Sequence, residues 1–402
     1  MLTAIPVGLD DCDGYWVFRA ADASNGPNSV IDFLNISFLE AQTAVRPARA
    51  QLAALLDRDE PPFTHEFLER LALHLSVKGS FYEPSDIEHY KEAFERAATC
   101  GDAVTILKKL WRVFGPTVWL TDNFNKLLSK FSSSITSSDM MFAAAYLCEA
   151  GEYSKSIKAA LEAKKKRKET WSENRYLGLI NLLVKEGHVT EPWALSYSSL
   201  FDRIVSQAHI FPEEISENRD DLIVVGNSPT LLGTRAAEQI NASNLVIRFN
   251  TAETSFPYSI DVGTKTDALV LNPDYSQTRR FFGRPCKHII VSNGDLYSSK
   301  NIGAKLHDFP SQYLIHFIPP QIDRYVTQKI GASPSSGLKM LYWIYSVVGA
   351  LDPDRVLGFS MGNQPLGHAS SYSKPVPTKM PIVHDWNAEQ DFLQELLESK
   401  NG

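Results

Sequence analysis

Cysteine is scarce in this sequence. There are four among 402 residues, Cys12, Cys100, Cys148 and Cys286, with no CxxC pair and no metal-ligand spacing. That excludes a disulfide scaffold, and Cys286, alone in the C-terminal half, excludes an internal disulfide there; the usage suits a reducing compartment. Long apolar runs are missing too. No stretch reaches the ~18–20 apolar residues of a membrane span, and the opening "MLTAIPVGLDDCDGYW" lacks the basic-then-apolar order of a secretory signal. A cytoplasmic protein is expected. Net positive charge is lacking as well: the formal charge is −7, whereas a polyanion binder needs a concentrated basic face, so no nucleic-acid partner is expected. The one strong basic run, "KKKRK" at Lys164–Lys168, reads first as a solvated helix face. Its sharper alternative is contact with an anionic membrane, which would place the protein peripherally at the inner face.

The usual nucleotide signatures are absent. "LIVVGNSPTLLGTRAAE" has a strand, a tight turn and a helix start, but not the GxGxxG that lets bare backbone approach a pyrophosphate. It also lacks the Lys that a P-loop carries after its last Gly. Gly226 lets the chain turn, and Asn227 and Ser228 offer polar side chains at the mouth of the next helix. The pattern fits a nucleotide with fewer phosphates, held through side chains; taken alone, an Asn-Ser helix cap fits it equally. "LVIRFN" ends on Asn250, beside Asn227 if the two strands are neighbours, although an isolated Asn there is more often a turn former.

What is present divides the chain. Residues 1–62 are hard to assign: "GYWVFRA" could be a strand, and "RPARAQLAALLDRD" a helix stopping before Pro61–Pro62. Residues 63–215 read as helical. "THEFLERLALHLSVKG" places Phe67, Leu68, Leu71 and Leu75 on one face, and "SDIEHYKEAFERAA" opens with Ser85 and Glu88 in capping-box spacing. Gly151 and Gly187 occupy matching points 36 residues apart (187 − 151) in "YLCEAGEYSKSIKAALEA" and "YLGLINLLVKEGHV". That resembles a tetratricopeptide-like hairpin array, and an ordinary helical bundle reads equally well. No catalytic constellation falls in this region, so packing, a protein partner or dimerisation is its expected work. Residues 216–402 alternate short strands, "LIVVG", "LVIRFN", "DALVL", "HIIVSN", "YLIHFI" and "RVLGF", with helices. The expected class is α/β: a Rossmann-like, mostly parallel sheet with helices on both faces, preceded by an all-helical domain.

"VVGNSPTLLG…INASNLVIRFNTA…DVGTKTD" resembles, in order and spacing, the long sialylmotif of the eukaryotic-type sialyltransferases. "SPSSGLKMLYWIYSV…DRVLGFSM" resembles their short sialylmotif, and "HDWNAEQDFL" sets His384 and Glu389 in the His-x4-Glu pattern of their very short motif. His368, 16 residues before His384 (384 − 368), stands about where the family's third motif has its His or Tyr. The resemblance runs from Leu222 to Leu396. It implies a glycosyltransferase-A-variant fold and an inverting, metal-independent transfer of a 2-keto-3-deoxy acid sugar from its CMP donor to an oligosaccharide or glycolipid acceptor. Neither a cofactor nor a metal is expected.

By that resemblance, Gly226, Asn227, Ser228, Asn250, Ser335, Ser336 and Gly337 bind CMP, the last three from a helix start. His384 is the general base, since its ordinary pKa lies near neutrality. Glu389, just over one helical turn on, would help fix the imidazole, and His368 would stabilise charge on the departing phosphate. "LDPDRV" offers Asp352 and Asp354, but the Pro between them and the strand that follows favour a turn over a metal site.

The sequence departs from the family in three places. The cysteines that animal members pair between long and short motifs have no counterparts, "HASSYS" replaces the third motif's aromatics, and a helical region stands where an anchor and stem are usual. These departures suit a bacterial member building surface polysaccharide such as capsule. They leave the sugar open between sialic acid and Kdo (3-deoxy-manno-octulosonic acid), with a lean toward Kdo or a broader ulosonic acid. A helical-repeat interaction protein with an inactive transferase domain is the rival from another class.

Overall fold

The computed structural model describes residues 2–7, 15–20 and 86–398, apart from 96, 98, 251, 273–285, 293, 308, 360–367, 372–373 and 380–383. "GYWVFRA" is a strand: β2 (Tyr15–Ala20) pairs antiparallel with β1 (Leu2–Val7). The helices read over 46–59 and 64–79 lie outside the described residues.

The helical region runs through α1 (Asp86–Glu95), α2 (Cys100–Phe114), α3 (Val118–Lys130), α4 (Ser137–Glu149), α5 (Tyr153–Lys166), the single turn α6 (Thr170–Glu173), α7 (Leu177–Lys185), α8 (Pro192–Gln207) and α9 (Ile210–Glu217). Local chemistry sets the ends of α2, α3 and α4. Thr99, Thr117 and Thr136 each accept the backbone N–H three residues on and so cap the helix start. Helix α4 is buried at every position from Met140 to Cys148, as a helix apolar on all sides must be, and forms the axis of the bundle. The glycine pairing is visible: Gly151 (φ 78°) and Gly187 (φ 73°) end α4 and α7 in the same left-handed cap. In both, two amides turn back to carbonyls of the last turn (Gly151 to Cys148 and Glu152 to Leu147; Gly187 to Val184 and His188 to Leu183). Two capped hairpins do not by themselves make a tetratricopeptide array.

The basic run ends α5, where cations suit the carbonyl end of a helix. Three of its members are occupied within the chain. Lys164 lies 4.4 Å from the Trp171 ring centroid, Lys166 donates to the Ser132 and Ile135 carbonyls, and Arg167 pairs with Glu173 at 2.7 Å. Among the described residues no helix is long and apolar enough to cross a membrane.

The six strands read from the sequence form one all-parallel sheet in the order β7-β6-β5-β4-β3-β8. They are β3 (Leu222–Val225), β4 (Leu245–Phe249), β5 (Ala268–Leu271), β6 (His288–Val291), β7 (Leu314–Phe317) and β8 (Val356–Leu357). Strands β3 to β6 are buried at every residue because both faces are covered. On one face Val224, Ile247, Val270 and Ile290 meet α9, α14 (Ser336–Val348) and α15 (Trp386–Glu398). On the other, Leu269, Leu271, Ile289 and Ile315 share a continuous core with side chains of α7, α8 and α12 (Ile302–His307). The helical region therefore covers half of the sheet directly. Beyond it on that face, Ile223, Val225 and Val246 pack against α10 (Ala237–Ala242) and α11 (Ser259–Val262).

All strands being parallel, their carboxyl ends share one edge. The chain winds outward from β3 to β7 and then returns to add β8 on the other side of β3. That reversal is the position at which open α/β sheets bind ligands.

Candidate functional site at the carboxyl edge of the sheet

Strands β3 and β4 are neighbours, and this brings Asn227 and Asn250 to the same edge. Asn227 Nδ2 donates to the Phe249 carbonyl at 3.0 Å, which fixes the amide's orientation. Its Oδ1 is then an acceptor, buried and without a partner. A buried amide oxygen left unpaired is costly, and a ligand hydroxyl or amino group would satisfy it. Asn250, at φ 48°, accepts the Asn272 amide through Oδ1 at 3.2 Å and so ties the ends of β4 and β5 together.

Gly226 and Ser228 acquire local explanations. A Cβ on Gly226 would lie 2.3 Å from the Gly358 carbonyl oxygen, so glycine here lets the ends of β3 and β8 touch. The Ser228 N–H reaches the same carbonyl at 2.9 Å, and its hydroxyl accepts from Thr230 N to cap a 3₁₀ turn. Gly337 is crowded in the same way, with Phe359 Cε1 2.8 Å from its would-be Cβ.

The start of α14 spans this edge from β6 to β8. The Ser335 hydroxyl is used as the N-cap, accepting from Leu338 N at 3.2 Å. Ser336 Oγ lies 2.7 Å from Ser292 Oγ at the end of β6. Lys339, only 1% exposed, binds the Ser292 carbonyl at 3.0 Å and Asp323 Oδ1 at 2.7 Å, so a buried cation fixes β6, α14 and α13 (Pro320–Ile330) to one another. The Ser336 and Gly337 amides belong to the first turn, which lacks helical acceptors, and they point a local positive potential at the edge.

His384 stands just before α15. Its Nδ1 is 2.6 Å from the Ser333 carbonyl oxygen. A carbonyl can only accept, so Nδ1 carries the proton and Nε2 is left with its lone pair. The side chain is 17% exposed and meets the Trp386 ring edge to face. Burial holds its pKa below the ordinary value; the Ser333 carbonyl pulls it up, and the Lys339 and Arg112 charges push it down.

Glu389 is placed differently from the expectation that it fixes the imidazole. Its Oε1 is 3.6 Å from His384 Nδ1, too far for a hydrogen bond, and instead accepts the Ser335 amide at 2.7 Å. The orienting partner of His384 is the Ser333 carbonyl. Burial raises the Glu389 carboxyl to about 7, against the lowering effect of Ser335 and Lys339. His368 opens β9 (His368–Ser371), opposite Lys379 of β10 (Lys374–Lys379), in a hairpin separate from the large sheet; its side chain lies outside the described residues. Asp352 accepts from the Asp354 amide and caps a 3₁₀ turn, the ordinary turn read from the sequence.

Four contributors were not read from the sequence. Lys339 had a signal, being the one charge in the apolar run "SGLKMLYWIYSVV". Ser292 and Ser333 act through positions that only the tertiary fold brings together. Arg112, on α2, donates to Ser333 Oγ at 3.1 Å, and nothing local marks it.

"DVGTKT", the most specific part of the long motif, lies at the opposite edge. Arg248, fully buried on β4, donates to the Lys265 carbonyl at 2.8 Å and the Val262 carbonyl at 2.5 Å. Asn241 Oδ1 accepts the Thr264 and Lys265 amides, and Asp267 Oδ2 accepts from Val246 N. These contacts brace the entry to β4 and β5 and leave ligand contact to the far edge.

The model of "Glycosyltransferase family 29 (sialyltransferase)" matches residues 166–292, which include Asn227, Asn250 and the Arg248 brace. Ser335, Ser336, Gly337, His384 and Glu389 lie beyond the matched segment. Among curated proteins, the chain is 29% identical over 133 residues to alpha-2,8-sialyltransferase 8E of Homo sapiens and, equally, to that of Pan troglodytes. The alignments cover 28% of this chain and 35% of each relative, so the chain matches only about a third of the length of these sialyltransferases.

Proposed function

We propose that the protein is an inverting glycosyltransferase that moves a 2-keto-3-deoxy acid sugar from its CMP donor to a glycan acceptor. The observation that carries this reading is the His384 tautomer, with Nδ1–H held on the Ser333 carbonyl beside the start of α14 and Nε2 left free. The acceptor hydroxyl attacks the anomeric carbon and its proton passes to Nε2, while the bond to the phosphate breaks and CMP leaves with the electron pair. The Ser336 and Gly337 amides stabilise the departing charge, and the Asn227 Oδ1 acceptor takes a ribose hydroxyl or the cytosine amino group. No cofactor or metal enters the step. The one-phosphate nucleotide accounts for an edge without a glycine-rich pyrophosphate cradle. We assign the sugar to the ulosonic acids, leaning to Kdo over sialic acid, the setting to bacterial surface polysaccharide synthesis, and a charge-stabilising role to His368.

The test is CMP release from CMP-Neu5Ac and from CMP-Kdo by wild type and His384→Ala, with and without acceptor oligosaccharides. One donor should turn over, and the variant should lose on the order of 10²–10⁴-fold in rate while retaining stabilisation by CMP over UMP and AMP. Full turnover in His384→Ala would remove the base. Turnover of neither donor, with no selective stabilisation by CMP, would remove the reading.

A further inference from the structure

We propose that the cavity between α2 and the loop after β6 is a subsite for an anionic group, carboxylate or phosphate, carried by the acceptor glycan. The proposal rests on the transferase reading above. The cavity is about 360 Å³ and lies at the β6–β7 side of the carboxyl edge, whereas the Asn227 and Asn250 end of that edge belongs to β3 and β4.

Its lining is cationic. Lys108 and Arg112 stand four apart on one face of α2, Lys300 follows β6, and Arg324 comes from α13. The acids nearby are already engaged. The Asp323 carboxylate holds Lys339. Asp295 accepts the Tyr297 and Ser298 amides and the Ser298 hydroxyl. Glu149, behind the wall, accepts from both Arg324 and the Trp111 indole. Lys108 and Lys300 make no ion pair among the described residues. Arg324 has Glu149 as its counter-charge, and Asp295 and Asp323 share the lining, but Lys108, Arg112 and Lys300 face the hollow with no carboxylate of their own among the described residues. Like charges so placed repel one another, and an anion in the hollow relieves them.

The cavity is also wired to the reacting centre. Arg112 donates to the hydroxyl of Ser333, whose carbonyl orients His384, and Ser292, in the cavity wall, meets Ser336 at the start of α14. A glycan with its acidic residue here would bring a neighbouring hydroxyl toward Nε2 from the side away from β3 and β4. The helical region thus supplies a wall of the site, a use its sequence did not announce.

The test compares lactose, sialyllactose and a phosphorylated lactose as acceptors for the full chain and for Lys108→Glu/Lys300→Glu, with Lys108→Gln/Lys300→Gln as the milder variant. The wild type should show a KM on the order of tenfold lower for an acidic acceptor than for lactose. The charge reversal should abolish that preference and leave donor KM and CMP release into water unchanged; whether carboxylate or phosphate wins names the source. Equal KM for all three acceptors, or a preference that survives both variants, overturns the proposal. So does a rise in donor KM, which would give the cavity to the donor's own acid. Should neither CMP donor turn over, calorimetric titration of the same three glycans in the presence of CMP still reads the cavity. An acidic preference lost in the charge reversal supports the subsite, and its absence overturns it independently of the transferase reading.

Discussion

At the residue scale, His384 is tuned by what surrounds it. A base must be unprotonated at the working pH, and burial secures this by disfavouring the imidazolium; Lys339 and Arg112 add repulsion of the same sign. Removing the Arg112 charge should therefore let the His384 pKa rise. Activity falls on the acid side as Nε2 becomes protonated, so in Arg112→Gln the acid limb of donor hydrolysis should move to higher pH. The shift should be small, because the guanidinium is exposed and solvent-screened. A pH profile of CMP release by wild type and variant measures it. A limb that stays put or moves to lower pH would show that Arg112 does not act on the titrating base.

At the element scale, the β3 turn does its work through contact with β8. With the Gly358 carbonyl only 2.3 Å from a Cβ at position 226, Gly226→Ala must separate the two strand ends or twist the turn. A cost of about 1–3 kcal/mol is expected, read as a lower midpoint in urea, together with loss of stabilisation by CMP because Asn227 moves with the turn. Gly233→Ala serves as the comparison, since its would-be Cβ meets nothing within 4 Å and only its φ of 82° is strained. It should weaken folding without removing the response to CMP.

The legible and the illegible part company at this same scale. The six strands were readable because each is a short apolar run bounded by turns, and the partnership of Asn227 with β4 followed from parallel neighbours. The tasks of the motif residues were not readable. "DVGTKT" signals kinship in a linear comparison, yet its purpose is set by Arg248, which faces it only after β4 and β5 pair. Glu389 stands just over one helical turn from His384, but the Ser335 amide, 54 residues away (389 − 335), takes the oxygen that would have reached the imidazole. Contacts between distant segments, such as Arg112 with Ser333, leave no periodic trace at all.

At the scale of the whole molecule, buried titrating groups at opposite ends of the sheet make stability depend on pH in opposing directions. Glu214 of α9 accepts from His288 Nε2 at 2.7 Å, and His288 Nδ1 lies 3.0 Å from His316 Nε2. Burial lowers both histidines, His316 to about 3. The unfolded chain therefore takes up protons below pH 6.5 that the folded chain refuses, His316 until near pH 3, so the pair's contribution is fully present above 6.5 and is lost as pH falls below it. Glu389 runs the other way. Raised to about 7 from 4.5, it favours the folded state below 4.5 and loses that contribution as pH rises toward 7. Between 4.5 and 6.5 the two oppose each other. Removing one should expose the other: His316→Gln, which can still donate to His288 Nδ1 but cannot titrate, should flatten the acid side of a plot of urea midpoint against pH. Glu389→Gln should instead steepen the fall from pH 7 to pH 5, since the counterweight is gone. If the His316→Gln plot keeps the wild-type slope below pH 6, the histidine pair is not what limits acid stability, and the carboxylates of the surface pairs would have to account for it.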